Sequence, residues 1–221
     1  MKAKGSIIKQ ELELEASQEE VKSFFDSIIP NFVRDAGGII SDNVRFWRWQ
    51  NQVNIVKKVK EKIEESGLSK KQIPLKVLVP ILENSSLEED DNLQEKWANM
   101  LANAISGKKT INPNFVSILS ELSPLEVSLL DQIHNEANQV KEYEERKNLQ
   151  FGRENICKLL NIDIPTADLV IENLTRLGLF QSPSGSGIQV GKYKFALRTT
   201  EIFELTSLGF EFISSCKWSN V

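Results

Sequence analysis

Three stretches of this chain repeat one signature, a serine with glutamate three residues on: Ser17-Gln-Glu-Glu20, Ser86-Leu-Glu-Glu89 and Ser123-Pro-Leu-Glu126. A serine hydroxyl can accept from the third helical amide while the glutamate reaches back to the serine amide, so this spacing marks a helix start. Apolar residues at helical spacing follow each box. They are Val21, Phe24, Phe25, Ile28 and Ile29 after the first, Leu93, Trp97, Met100, Leu101, Ala104 and Ile105 after the second, and Leu129, Leu130 and Ile133 after the third. A chain punctuated this way packs helices on their apolar faces.

The other helices follow from breaks and periodicity. Pro30 and Gly37-Gly38 interrupt the first. A second opens near Ser41-Asp42 and runs to Glu65 before Gly67, about 36 Å of helix. LKVLVPILENS (75–85) is a third, near-continuously apolar despite Pro80 and so expected to be buried. The fourth opens at the Ser86 box with Glu88 to Asp91 in its first turn, where the helix dipole favours negative charge, and stops at Gly107. Pro113 leads a short fifth helix, and the sixth runs from Ser123 into the charged stretch KEYEERK.

Beyond that stretch the order changes. Helices are expected at 153–160 and 166–177, with a turn at Asn161–Pro165 between them. Strand-like runs at 178–181 and 188–197 flank the flexible SPSGSG, and a last helix begins at Ser207. Helix, turn, helix, strand, glycine-rich loop, strand, helix is the order of a winged helix. The expected class is mainly α: a flexible segment at 1–17, a helical bundle at 18–140, a charged linker at 141–151, and a small α+β winged-helix-like domain at 152–221.

The net charge of −4 supplies no global field for nucleic acid or anionic lipid, so such binding would need a local patch. One patch is available. RFWRWQNQV (45–53) leads into KKVKEK, and segment 43–76 holds nine basic residues against three acids. At 100° per residue, Val53, Ile55, Val56, Val59 and Ile63 share one face, with Lys57, Lys58 and Glu61 opposite. The start of the helix breaks this pattern: Trp47 falls on the polar side, Arg45 and Arg48 on the apolar side. Arg45, Trp47, Arg48, Lys57 and Lys58 are therefore the candidate contact residues for a membrane surface or a partner protein. The plainer alternative pairs this basic helix with segment 83–96, which carries six acids and one lysine.

Residues for catalysis are sparse. His134 has no second histidine or nearby cysteine to share a metal, and Cys157 and Cys216 lie on apolar faces. No glycine-rich phosphate loop, G-x-S-x-G or H-E-x-x-H occurs. The acidic turn Glu88–Asp91 could hold a cation for a hydrolase, but helix-start electrostatics account for it. No enzyme activity and no cofactor are expected. No signal peptide and no apolar run of spanning length is read, so a cytoplasmic chain is expected, with peripheral contact at the inner membrane face if the aromatic-basic stretch docks.

As a DNA reader the C-terminal unit has Arg176 on its candidate recognition helix and Lys192 and Lys194 on its wing. That helix also carries Asp168 and Glu172, and residues 152–221 balance seven bases with seven acids. DNA binding draws on phosphate neutralisation, so these charges favour protein contact. Leu169, Val170, Leu174 and Leu177 are expected to face inward.

The run QIPLKVLVPILENSSLEEDDNLQEKWANMLANAIS followed by NPNFVSILSELSPLEVSLLDQI resembles the abortive-infection alpha (Abi-alpha) family of bacterial proteins. The likeness lies in the proline-led helix at Pro74, the acidic helix start at Glu88–Asp91, the core motif from Trp97 to Ala102, and the segment from Pro113 to Glu126. Val127 departs from the usual alanine. LTRLGLF and FELTSLGFEFISSC resemble the family's C-terminal winged unit, and the likeness covers about residues 23–216. The resemblance implies a role in defence against phage and no catalytic residues. A non-enzymatic defence protein acting through protein or membrane-surface contact is the expected function. A winged-helix DNA-binding regulator is the alternative.

Overall fold

The computed structural model describes residues 23–24, 42–140, 149–183, 187–190, 193–196 and 202–219. The first helix-start box, at Ser17, lies outside them. The chain is mainly helical, with a small three-stranded antiparallel sheet. It clusters into two compact units: residues 1–120 with 215–221, and residues 121–214.

The first unit is built from α1 (Asp42–Ser66), α2 (Leu75–Ser85), α3 (Asp91–Ser106) and α4 (Pro113–Ser120). α1 packs chiefly on α3, and α2 packs on both α3 and α4. The apolar stripe of α1 is buried as its periodicity predicts: Ile55, Val56, Val59 and Ile63 are all within 2% of complete burial. α2 buries Val77, Leu78, Ile81 and Leu82 but leaves Leu75 and Val79 exposed, so it is not buried all round.

α3 is the centre of this unit. Its apolar residues are buried, Trp97 among them at 1% exposure, and so are Gln94, Asn99 and Asn103 on its other sides. Buried amide nitrogens need acceptors, and these three find them off the helix. Gln94 donates to the Glu88 carbonyl, Asn99 to the Cys216 carbonyl, and Asn103 to the carbonyls of Ser215 and Lys217. The side chains of α3 thus clasp the C-terminal segment of the chain.

The start of α3 differs from the expectation. Asp90, not Ser86, is the N-cap; its carboxylate accepts from the Leu93 amide at 2.9 Å. Asp91 is the acid in the first turn. The run Glu88-Glu89-Asp90-Asp91 offers more than one acceptable cap, and Ser86 is engaged at the end of α2 instead.

The second unit holds α5 (Pro124–Gln139), β1 (Gln150–Gly152), α6 (Arg153–Leu160), α7 (Ile164–Arg176), β2 (Phe180–Gln181), β3 (Gly187–Val190), β4 (Tyr193–Ala196), β5 (Ile202–Leu205) and most of α8 (Ser207–Ser215). α5 therefore clusters with the elements that follow it, whereas the charged stretch at 141–151 places the expected boundary after it. Its start is the capping box read from Ser123 and Glu126, both bonds present and Pro124 at the first helical position. Val127, at the alanine position, is 3% exposed.

The sheet runs β1-β5-β2, all antiparallel, with Phe151 opposite Phe203 and Phe180 opposite Leu205. β3 and β4 form a separate hairpin between β2 and β5, with Ile188 opposite Phe195. The sequence pattern predicts one strand across 188–197 and none at 150–152. Three residues are too few to show alternation, so only pairing with β5 makes β1 a strand. Helix α7 starts two residues earlier than expected, at Ile164, because Asp163 caps it and Pro165 fits its first turn. Its inward stripe is Ala167, Val170, Ile171 and Leu174, while Leu169 is 69% exposed and Leu177 half-buried. The expected inward facing of Leu169 is thus corrected by one helical step.

Candidate functional site

The opening turns of α1 meet the carboxyl end of α2. The last carbonyls of a helix lack partners within it and carry partial negative charge. Asn51 Nδ2 donates to the Ser86 carbonyl at 3.1 Å and Gln52 Nε2 to the Leu82 carbonyl at 3.3 Å. Arg48 Nε donates to Ser86 Oγ at 2.9 Å, and that hydroxyl donates in turn to the Glu83 carbonyl. Arg48 sits on the apolar side of α1 because a helix end needing donors is there. Arg45 and Trp47 are in the same helix, but their side chains lie outside the described residues.

Farther along, the basic face of α1 meets the acidic start of α3. Lys58 Nζ is 4.0 Å from Asp91, and Lys62 Nζ donates to Glu95. Both pairs are one helical turn apart on each helix, so two facing ridges match charge for charge. Lys57 is exposed. Of the five candidate contact residues, Arg48 and Lys58 are thus engaged within the fold.

In the second unit, Arg176 Nη2 donates to Glu121 Oε2 and to Asn173 Oδ1, both at 2.7 Å, and Nε donates to the same Asn173 oxygen. Asn173 also donates to the buried Glu126 of the capping box. Asp168 pairs with Arg153 at 3.5 Å. Pro165, Leu169, Glu172 and Arg176 follow one another along the exposed side of α7. Lys194 lies in β4 with its side chain outside the described residues, and Lys192 lies outside them altogether. Among the described residues no three His, Cys, Asp or Glu gather to hold a metal, and no helix is long and apolar enough to cross a membrane. Cys157 is half-buried and Cys216 buried.

A feature the sequence reading did not single out lies in the first unit. The segment before α2 and the loop between α3 and α4 enclose a cleft of about 630 Å³. Ile73, Val77 and Ile111 line its apolar part and Lys71, Lys76 and Lys109 its charged part. The signal was two lysine pairs beside chain breakers, Lys70-Lys71 before Pro74 and Lys108-Lys109 after Gly107. Nothing in the spacing reveals that Lys71 and Lys109 line one cleft, because two helices separate them in the chain.

No curated protein sequence and no solved structure matches the chain. The profile of the family described as abortive infection alpha matches residues 50–216, which takes in every described helix from α2 to α8 and most of α1. With three quarters of its length matched, the chain belongs to the abortive infection alpha family.

Proposed function

We propose that this protein is a non-enzymatic phage-defence protein of the abortive-infection type, whose second unit is a winged helix used for protein contact. The winged-helix reading is supported by the order α5-β1-α6-α7-β2-β5 with the β3–β4 hairpin in the wing position, and by a sheet in which the last strand runs between the first two. Family membership supports the defence role.

One observation carries protein contact over DNA reading: the outward face of α7. A DNA-reading helix presents free arginine, lysine or amide groups to base edges and phosphates. Here the exposed side presents Leu169 and Glu172, and Arg176 is held by Glu121 and Asn173. An exposed leucine beside a carboxylate suits an apolar pocket on a protein and repels a phosphate backbone.

The test is expression of the wild-type chain and of Leu169→Asp in a phage-challenged bacterial host. The wild type lowers plaque counts; Leu169→Asp loses protection while its melting temperature stays unchanged, since the side chain is exposed. Plaque counts unaffected by the wild type would remove the defence role. Protection retained by Leu169→Asp, together with a salt-dependent mobility shift on duplex DNA, would transfer the reading to a DNA-binding regulator.

A further inference from the structure

The cleft of the first unit has the chemistry of a small-molecule site. Its volume of about 630 Å³ falls within the roughly 300–1,000 Å³ typical of such sites. Ile73, Val77 and Ile111 are each at most 7% exposed and form an apolar floor. Lys71, Lys76 and Lys109 stand around it, and among the described residues none that lines it is acidic. In a chain whose 31 acids outnumber its 27 bases, this is a local reversal of charge.

Lys71 is positioned by the fold. Its amide donates to the Ile105 carbonyl at 2.7 Å. Its side chain lies against Gly107, 2.5 Å from where a Cβ would be, so glycine at this positive-φ position (φ 67°) leaves the room it occupies. A stem already laid against backbone loses less rotamer freedom when its ammonium meets a ligand. The start of α2 adds to the potential. Pro74 offers no side-chain cap and no acid follows in the first turn, whereas α3 and α5 begin with side-chain caps and acids.

We infer that this cleft binds a phosphate ester with an apolar body, of nucleotide size. Three lysines lining one cleft match a multiply charged phosphate, for which lysine serves as a point-charge donor. The floor takes an apolar ring or chain, which inorganic phosphate lacks. A soluble nucleotide and a phospholipid headgroup share this chemistry. The soluble source is favoured by a floor sized for one small molecule. The inference stands independently of the defence reading.

Calorimetric titration of the full chain with ADP and, separately, with inorganic pyrophosphate tests it, beside co-sedimentation with phosphatidylglycerol vesicles. ADP is expected to bind, more tightly than pyrophosphate, and Lys71→Ala/Lys76→Ala to weaken it by about tenfold or more at an unchanged melting temperature. Lys76→Glu, at an exposed position, gives the same loss should the double variant fold poorly. No heat with ADP, or ADP affinity unchanged in Lys76→Glu, overturns the assignment. So does pyrophosphate binding as tightly as ADP, which would leave the floor without a part. Vesicle binding without ADP binding would give the lysines to a lipid surface and overturn it as well.

Discussion

Arg48 donates from Nε to Ser86 Oγ at 2.9 Å, joining the first turns of α1 to the end of α2. The neighbouring Asn51 and Gln52 donate to carbonyls of the same helix end. An arginine out of phase with the polar face of its helix is thus explained by packing. Arg48→Ala is expected to lower the unfolding free energy by about 1 kcal/mol, the net worth of such a bond. Ser86→Ala should cost a similar amount, and the double variant less than the sum. Urea midpoints of the three variants measure this; strict additivity would mean that the two side chains act separately.

Lys62 and Glu95 supply a second check on how α1 and α3 meet. The pair is partly exposed, at 17% and 38% of the two side chains, so solvent screens it. Its coupling is expected at the exposed end of the scale, about 0.2–1 kcal/mol, and should shrink with added salt. Lys62→Glu lowers the thermal midpoint by setting like charges together, and adding Glu95→Lys restores part of the loss. A reversed pair no more stable than Lys62→Glu alone would show that the two positions do not interact.

Gly209 in α8 lies so close to strand β2's approach that a Cβ would stand 2.5 Å from the Leu179 carbonyl oxygen. That oxygen cannot give way freely, because it accepts from the Thr206 amide at 2.9 Å. Gly209→Ala is therefore expected to destabilise the chain by about 1–3 kcal/mol, the usual cost of overpacking, despite the better helix propensity of alanine. Chemical unfolding at neutral pH reads this out, and a stabilised variant would contradict the close approach.

Asp163 caps α7 and sets an acid-sensitive contribution. Hydrogen bonds from the Thr166 side chain and amide hold its carboxyl below the ordinary value of 3.8. A depressed carboxyl contributes stability above its unfolded value and loses it as pH falls through the lower folded value. Asp163→Asn keeps a good cap without that titration. Its difference from wild type should be constant from neutral pH down to about 4 and then change in favour of the variant. Urea midpoints across this range would show a flat difference throughout if the cap carried no charge dependence.

Much of the helical architecture was legible because its signals are local. The Ser123 box, the proline after it and Glu126 lie within four residues, and the bonds that cap the helix form there. The apolar stripe of α1 needs only a 3.6-residue period. At Asp90 the same local logic was ambiguous, since Ser86 and two carboxylates offered rival caps and the contact from Arg48 decided between them. The β1 strand and the exposure of Leu169 were not legible. Three residues carry no period, and an error of one residue turns a helical side chain by about 100°. The lysine cleft was hidden because its charges come from both ends of a helix pair.

The sequence by itself determined where helices begin to within a few residues, most of the faces they bury and which family the chain resembles, since caps, periods and motif spacings act within a few residues. Tertiary structure decided what the polar exceptions are for. Arg48, Asn99 and Asn103 look misplaced on their helices until the Ser86 hydroxyl and the carbonyls of residues 215–217 arrive beside them. A buried polar group is stable only with its partner, and a partner distant in the chain is supplied only by the folded structure.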